Sequence, residues 1–112
     1  MIYPTQYDLK CYKGQTWEQP LYIKDKTGTP IDLTGATVKA QVRPSDNSAT
    51  LTAEMTCSIV PENGEINLLL SADVTANLQT GVYAYDVKVV DANAVVTYYI
   101  YGKFLVAGRV TV

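Results

Sequence analysis

Four aspartates are the residues of this 112-residue chain on which acid–base chemistry would have to rest: Asp25, Asp32, Asp86 and Asp91. Such chemistry needs two carboxylates that converge on a substrate with separated pKa values. Asp25, Asp32 and Asp91 instead sit in or beside turn sequences. Asp86 falls on the outward face of an alternating stretch, so the expectation is solvated turn and surface acids. The chain has no histidine. The usual base near neutral pH and the commonest transition-metal ligand are therefore missing. Ser, Thr and Tyr hydroxyls have no neighbouring base to activate them. Asp91-x-Asn93 offers two oxygen ligands beside a turn, where Ca²⁺ takes roughly six to eight. The expectation is a protein that is not an enzyme and carries no cofactor or metal.

The two cysteines, Cys11 and Cys57, have no metal-binding spacing, and both fall on the inward faces of strand-like stretches. Sequence leaves open whether they pair; in a cytosolic chain the simpler expectation is two buried thiols acting as small apolar residues. The aromatic set is more informative, with nine tyrosines against one Phe and one Trp. Tyr joins an apolar ring to a polar tip and suits wet contact surfaces. In the last strand Tyr99 and Tyr101 alternate with Tyr98, Ile100 and Phe104, so one tyrosine pair must face away from the core. Tyr12 also points outward. The expected protein-contact residues are Tyr12, Arg43, Tyr98, Tyr99 and Tyr101, together with the chain ends. A sugar-stacking platform built on Trp17 or an exposed tyrosine pair is the alternative.

The elements that must position these side chains are strands. The stretch 78–90, LQTGVYAYDVKVV, puts Tyr83, Tyr85, Val87 and Val89 on one face and Ala84, Asp86 and Lys88 on the other, the period of a half-buried strand. Leu78-x-x-Gly81-x-Tyr83 is the arrangement in which a tyrosine near a strand start turns its hydroxyl back onto upstream backbone, as in the corner of immunoglobulin-like sandwiches. Residues 5–12 place Tyr7, Leu9 and Cys11 inward. Residues 16–24 place Trp17, Leu21 and Ile23 inward, with Pro20 demanding an edge or a bulge. Residues 36–43 point Ala36, Val38, Ala40 and Val42 in. Residues 50–60 put Leu51, Ala53, Met55, Cys57 and Ile59 on one face. Pro61–Gly64 closes a hairpin into Ile66, Leu68 and Leu70. Ser71 caps one helical turn, and a last strand spans Val95 to Val106. The fold class expected is all-β: a single immunoglobulin-like antiparallel β-sandwich domain of about seven strands over 1–112, with one short helical turn before the penultimate strand.

Composition bounds the partners. A net charge of −2 and the lack of a basic run argue against nucleic acid. No apolar run approaches the ~20 residues that span a bilayer, so no membrane partner is expected, and the N-terminal residues do not read as a signal peptide.

The order DKTGTPIDLTGATVKAQVRP, GEINLLLS, ADVTANLQTGVYAYDVKVVD and a closing strand with a Gly-rich turn resembles small immunoglobulin-like β-sandwich virion proteins of tailed bacteriophages. Relatives of that kind include the N-terminal domain of the phage baseplate upper protein and short stand-alone virion proteins. Pro30 to Arg43 and Thr80 to Asp86 carry the resemblance most specifically. It implies a non-catalytic structural protein of the virion, assembled in the host cytoplasm, that docks on other virion proteins and on copies of itself. Tail, neck, baseplate and capsid decoration are the positions it allows. A host glycan is the alternative partner.

Overall fold

The computed structural model describes the chain except residues 1–4, 26, 46, 47, 49 and 110–112. Alternation becomes strands in this order: β1 (Thr5–Gln6), β2 (Leu9–Tyr12), β3 (Trp17–Tyr22), β4 (Thr37–Arg43), β5 (Ala53–Val60), β6 (Glu65–Leu70), β7 (Gly81–Val90) and β8 (Val96–Ala107). A single helical turn, α1 (Ala72–Ala76), precedes β7. Ser71 caps it, its hydroxyl accepting from the Val74 amide at 3.3 Å. Thr75, fully buried, donates to the Gln15 carbonyl at 2.7 Å and pins α1 to the turn before β3.

Two sheets face each other. The front sheet runs β1/β2–β8–β7–β4 and ends on residues 53–55 of β5; the back sheet runs from residues 56–60 of β5 through β6 to β3. β5 thus leaves one sheet for the other midway. The pairing is antiparallel except at β1 and β2, which run parallel to β8. β3 is the outer strand of the back sheet, and Pro20 lies there, where a missing ladder donor is tolerated.

The core lies between the sheets. Tyr85, Val87 and Val89 from β7, Ala40 and Val42 from β4, and Phe104 and Val106 from β8 meet Trp17, Leu21, Ile66 and Leu68 from behind. Phe104 is fully enclosed, and the Trp17 ring meets it edge-on with centroids 5.2 Å apart. The corner forms as the sequence predicts: the Tyr83 hydroxyl donates to the Gln79 carbonyl at 2.6 Å.

Three expectations about facing are corrected. Tyr7 is exposed, because the chain kinks between β1 and β2 and its backbone takes the inward position beside Gly102. Leu51 is exposed and precedes β5, which starts at Ala53. Tyr99 packs against the core, because a bulge opposite Val87 and Lys88 inserts one residue into β8. Tyr98 and Tyr101, three residues apart, then both face outward, which unbroken alternation forbids.

Candidate functional site

The front sheet's outer face is concave at its middle. Rows across it are set by register: Arg43 opposite Ala84 opposite Lys103, and Gln41 opposite Asp86 opposite Tyr101 opposite Gln6. Ala84 is too small to fill the space between Arg43 and Lys103, so the sheet itself becomes the floor of a groove of about 500 Å³. Pro44, Ser45 and Ser48 form one wall after β4, and Gln6 of the N-terminal strand contributes the other.

The electrostatics are set by one carboxyl. Asp86 is half-buried, and burial pushes its pKa up, against the opposing pull of Arg43 and Lys88. It is not the fully solvated surface acid that alternation alone implies. Arg43 donates to the Gln41 side chain at 2.7 Å, which in turn reaches toward Glu54 at 3.4 Å. The side of the groove near β1 is closed from within: the Tyr85 hydroxyl donates to the Tyr7 carbonyl, and the Lys103 amide donates to Asp8 Oδ1 at 3.0 Å. Burial, with Asp8 adding to it, holds the Tyr85 hydroxyl well above the usual tyrosine range, so it stays a donor.

Of the expected contact residues, Arg43 and Tyr101 come together in this groove. Tyr98 lies one row away, opposite Lys88. Tyr12 is exposed at the end of β2, with the Lys10 ammonium 4.9 Å from its ring centroid. Tyr99 belongs to the core side, and the chain ends lie outside the described residues. Sequence reasoning missed Gln6 and Lys103 and set Asp86 aside as a solvated surface acid; only strand register places the three beside Arg43 and Tyr101.

The other chemical candidates are accounted for by structure. Asp25 Oδ1 accepts from the Thr27 and Thr29 amides, Asp32 Oδ1 from Thr34, and Asp91 Oδ1 from Asn93 and Val95. Hydrogen bonds, from the Thr27 and Thr34 hydroxyls above all, hold Asp25 and Asp32 below the ordinary aspartate range. Cys11 and Cys57 are both free thiols, and burial raises the pKa of each. Trp17 is buried, its indole donating to the Lys10 carbonyl at 3.0 Å, so it offers no sugar platform. Among the described residues no group of three or more His, Cys, Asp or Glu is placed to hold a metal ion, and no helix is long and apolar enough to cross a membrane.

The fold and corner define an immunoglobulin-like β-sandwich. No family model matches the chain, and no curated protein matches it. Among solved structures it is similar to CopC from Methylosinus trichosporium OB3b, with a TM-score of 0.52 and 12% identity over 94% of this chain and 88% of that one. At that identity the likeness is one of fold. The virion expectation is corrected to this extent: the solved structure that the chain resembles is a CopC and not a phage virion protein. Docking on tail, neck, baseplate or capsid, and the glycan-binding appendage, are accordingly not carried forward.

Proposed function

We propose that this chain is a non-catalytic binding module that takes a segment of a protein partner into the front-sheet groove. The observation that supports this best is the convergence of Tyr101 and Arg43, residue types that anchor protein interfaces, around the half-buried Asp86 in one concavity. Serines, glycine and glutamines complete the lining and supply adaptable hydrogen bonding, the chemistry of a paratope more than of an active site. Catalysis has little to work with: three of the four candidate carboxylates are engaged in turns, which leaves Asp86 alone of the four in the groove.

Peptides selected from a displayed random library on the intact chain test the reading. Tyr101→Ala and Arg43→Ala are each expected to weaken the selected peptides about tenfold or more. Tyr22→Ala, exposed on the back sheet, is expected to leave them unchanged. Equal binding to wild type and to both groove variants would show the reading to be wrong.

Asp86 gives a second expectation. Its folded pKa lies above its unfolded value, so the folded state takes up a proton first as pH falls. Stability therefore rises as pH drops through the folded pKa of Asp86, and falls as pH rises through it. Asp86→Asn removes this penalty at neutral pH, by less than about 1 kcal/mol once solvent screening is counted. The variant should melt slightly higher than wild type at pH 7, and the gap should close as the pH approaches the aspartate range. Loss of peptide binding in this more stable variant would mark Asp86 as a binding residue. A variant that is less stable at pH 7 would refute the assigned cause.

A further inference from the structure

The face that carries the groove is charged in a way the whole chain is not. The protein has nine Lys and Arg against eleven Asp and Glu. Register places five of those nine cations, Lys10, Lys39, Arg43, Lys88 and Lys103, on the outer face of the front sheet. Of the acids among the described residues, strand register puts only Glu54 and Asp86 there, with the Asp8 carboxylate at the edge beside β8, where it accepts from the Lys103 amide. Lys39 and Lys88 are direct partners across β4 and β7, and Tyr98 continues their row onto β8. Like charges directly opposite on neighbouring strands weaken a sheet. Asp86, drawn to both Arg43 and Lys88, is a single carboxylate answering two cations. The arrangement works against the stability of the isolated chain and favours a negatively charged partner.

We propose that the front face docks an acidic polypeptide segment, its carboxylates set against Lys39, Lys88 and Lys103 and its apolar side chains against Tyr98 and Tyr101. This rests on the reading of the groove as a binding surface and names the chemistry of what binds there. A basic sheet face with exposed aromatic rings also suits single-stranded nucleic acid. Asp86 decides between the two. It lies opposite Tyr101 at the centre of the face, where it can accept from the amide groups of a peptide, whereas a phosphate backbone would bring a like charge against it.

Fluorescence anisotropy on the intact chain tests this with four labelled probes: a short Asp/Glu-rich peptide, a Gly/Ser peptide, a Lys-rich peptide and a thymidine oligonucleotide. The acidic peptide is expected to bind at least about tenfold more tightly than the Gly/Ser peptide, and to weaken as salt rises. Lys39→Gln with Lys88→Gln is expected to lose about tenfold in that affinity. The melting temperature of this double variant should stay close to that of wild type, because the Lys39–Lys88 repulsion and the attraction of Lys88 to Asp86 are lost together, and thermal unfolding separates binding loss from unfolding. Acidic and Gly/Ser peptides bound alike, tighter binding of the oligonucleotide, or unchanged binding by the double variant would each overturn the proposal. Library-selected peptides that lack acidic residues yet need Tyr101 would overturn it too, while leaving the binding-module reading in place.

Discussion

Gly64→Ala is expected to destabilise the protein by about 3 kcal/mol, lowering the melting temperature by roughly 10 °C. Gly64 ends the short 3₁₀ turn Pro61–Asn63 between β5 and β6 with φ +61, in the left-handed region. A side chain there costs about 1–2 kcal/mol from backbone sterics alone. Space is the second obstacle. A Cβ on Gly64 would lie 2.5 Å from the Ile23 carbonyl oxygen, 2.8 Å from that of Ile31 and 3.0 Å from the Ile31 nitrogen. These are backbone atoms tied down in turn: the Ile23 amide donates to Gly64 and the Ile31 amide to Ile23, at 2.8 and 2.9 Å. Overpacking against fixed neighbours adds about 1–3 kcal/mol. Gly28→Ala separates the two causes. Gly28 has φ +85 but no atom of the described residues within 4 Å of a would-be Cβ, so only the conformational part, about 1 kcal/mol, should appear. Thermal unfolding of both variants measures the difference. Equal losses would mean that the Ile23 and Ile31 backbone gives way freely.

Much of this architecture can be read along the chain because it depends on local alternation. β4 and β7 show their inward faces residue by residue, Pro20 marks an outer strand, Ser71 marks a helix start, and Leu78-x-x-Gly81-x-Tyr83 marks the corner. What resists reading is what depends on a single inserted residue or on distant partners. The bulge in β8 moves Tyr99 inward and lets Tyr98 and Tyr101 share the outer side, yet nothing in VTYYIYG distinguishes it from a regular strand. β5 changes sheet midway, and a period of two is the same in either sheet. The groove is built from residue 6, residues 41, 43–45 and 48, and residues 82–86 and 101–103. Asp86 could be placed on an outward face from its neighbours alone; its partial burial required walls from both chain-distant sides. The lysine pair follows the same logic. Lys39 and Lys88 are each visibly outward, but their opposition exists only in the β4–β7 register. Strand faces are thus a local property, and sites on those faces are a property of register.

That dependence on register makes Gly102 the position where fold and site can be separated by one atom. β1 has two residues and β2 four, and the kink between them crosses β8 at Gly102. A Cβ there would meet the Tyr7 carbonyl oxygen at 2.6 Å and Asp8 Oδ1 at 2.8 Å. Unlike Gly64, Gly102 has no left-handed φ to defend, so the whole effect of Gly102→Ala is steric. Among the described residues the obstacle is held by the pairing of Thr5 and Gln6 with β8 and by three further bonds: the Tyr7 amide to the Tyr101 carbonyl at 2.8 Å, Lys103 to Asp8, and Tyr85 to Tyr7. The strand should yield before the sheet does. Gly102→Ala is therefore expected to release β1 while β7 and β8 stay paired, at about 2–3 kcal/mol. Part of that is the Tyr85 hydroxyl left in the interior without its acceptor. Tyr85→Phe removes the hydroxyl, so the double variant should lose less than the two single variants together. Hydrogen exchange gives the structural readout: the Tyr7 and Lys103 amides should lose protection while those of Val87 and Val89 keep it. Because Gln6 leaves with the strand, peptides selected on the groove should weaken as well. Full protection of Tyr7 in Gly102→Ala, or strict additivity with Tyr85→Phe, would refute this account of how the N-terminal strand is held.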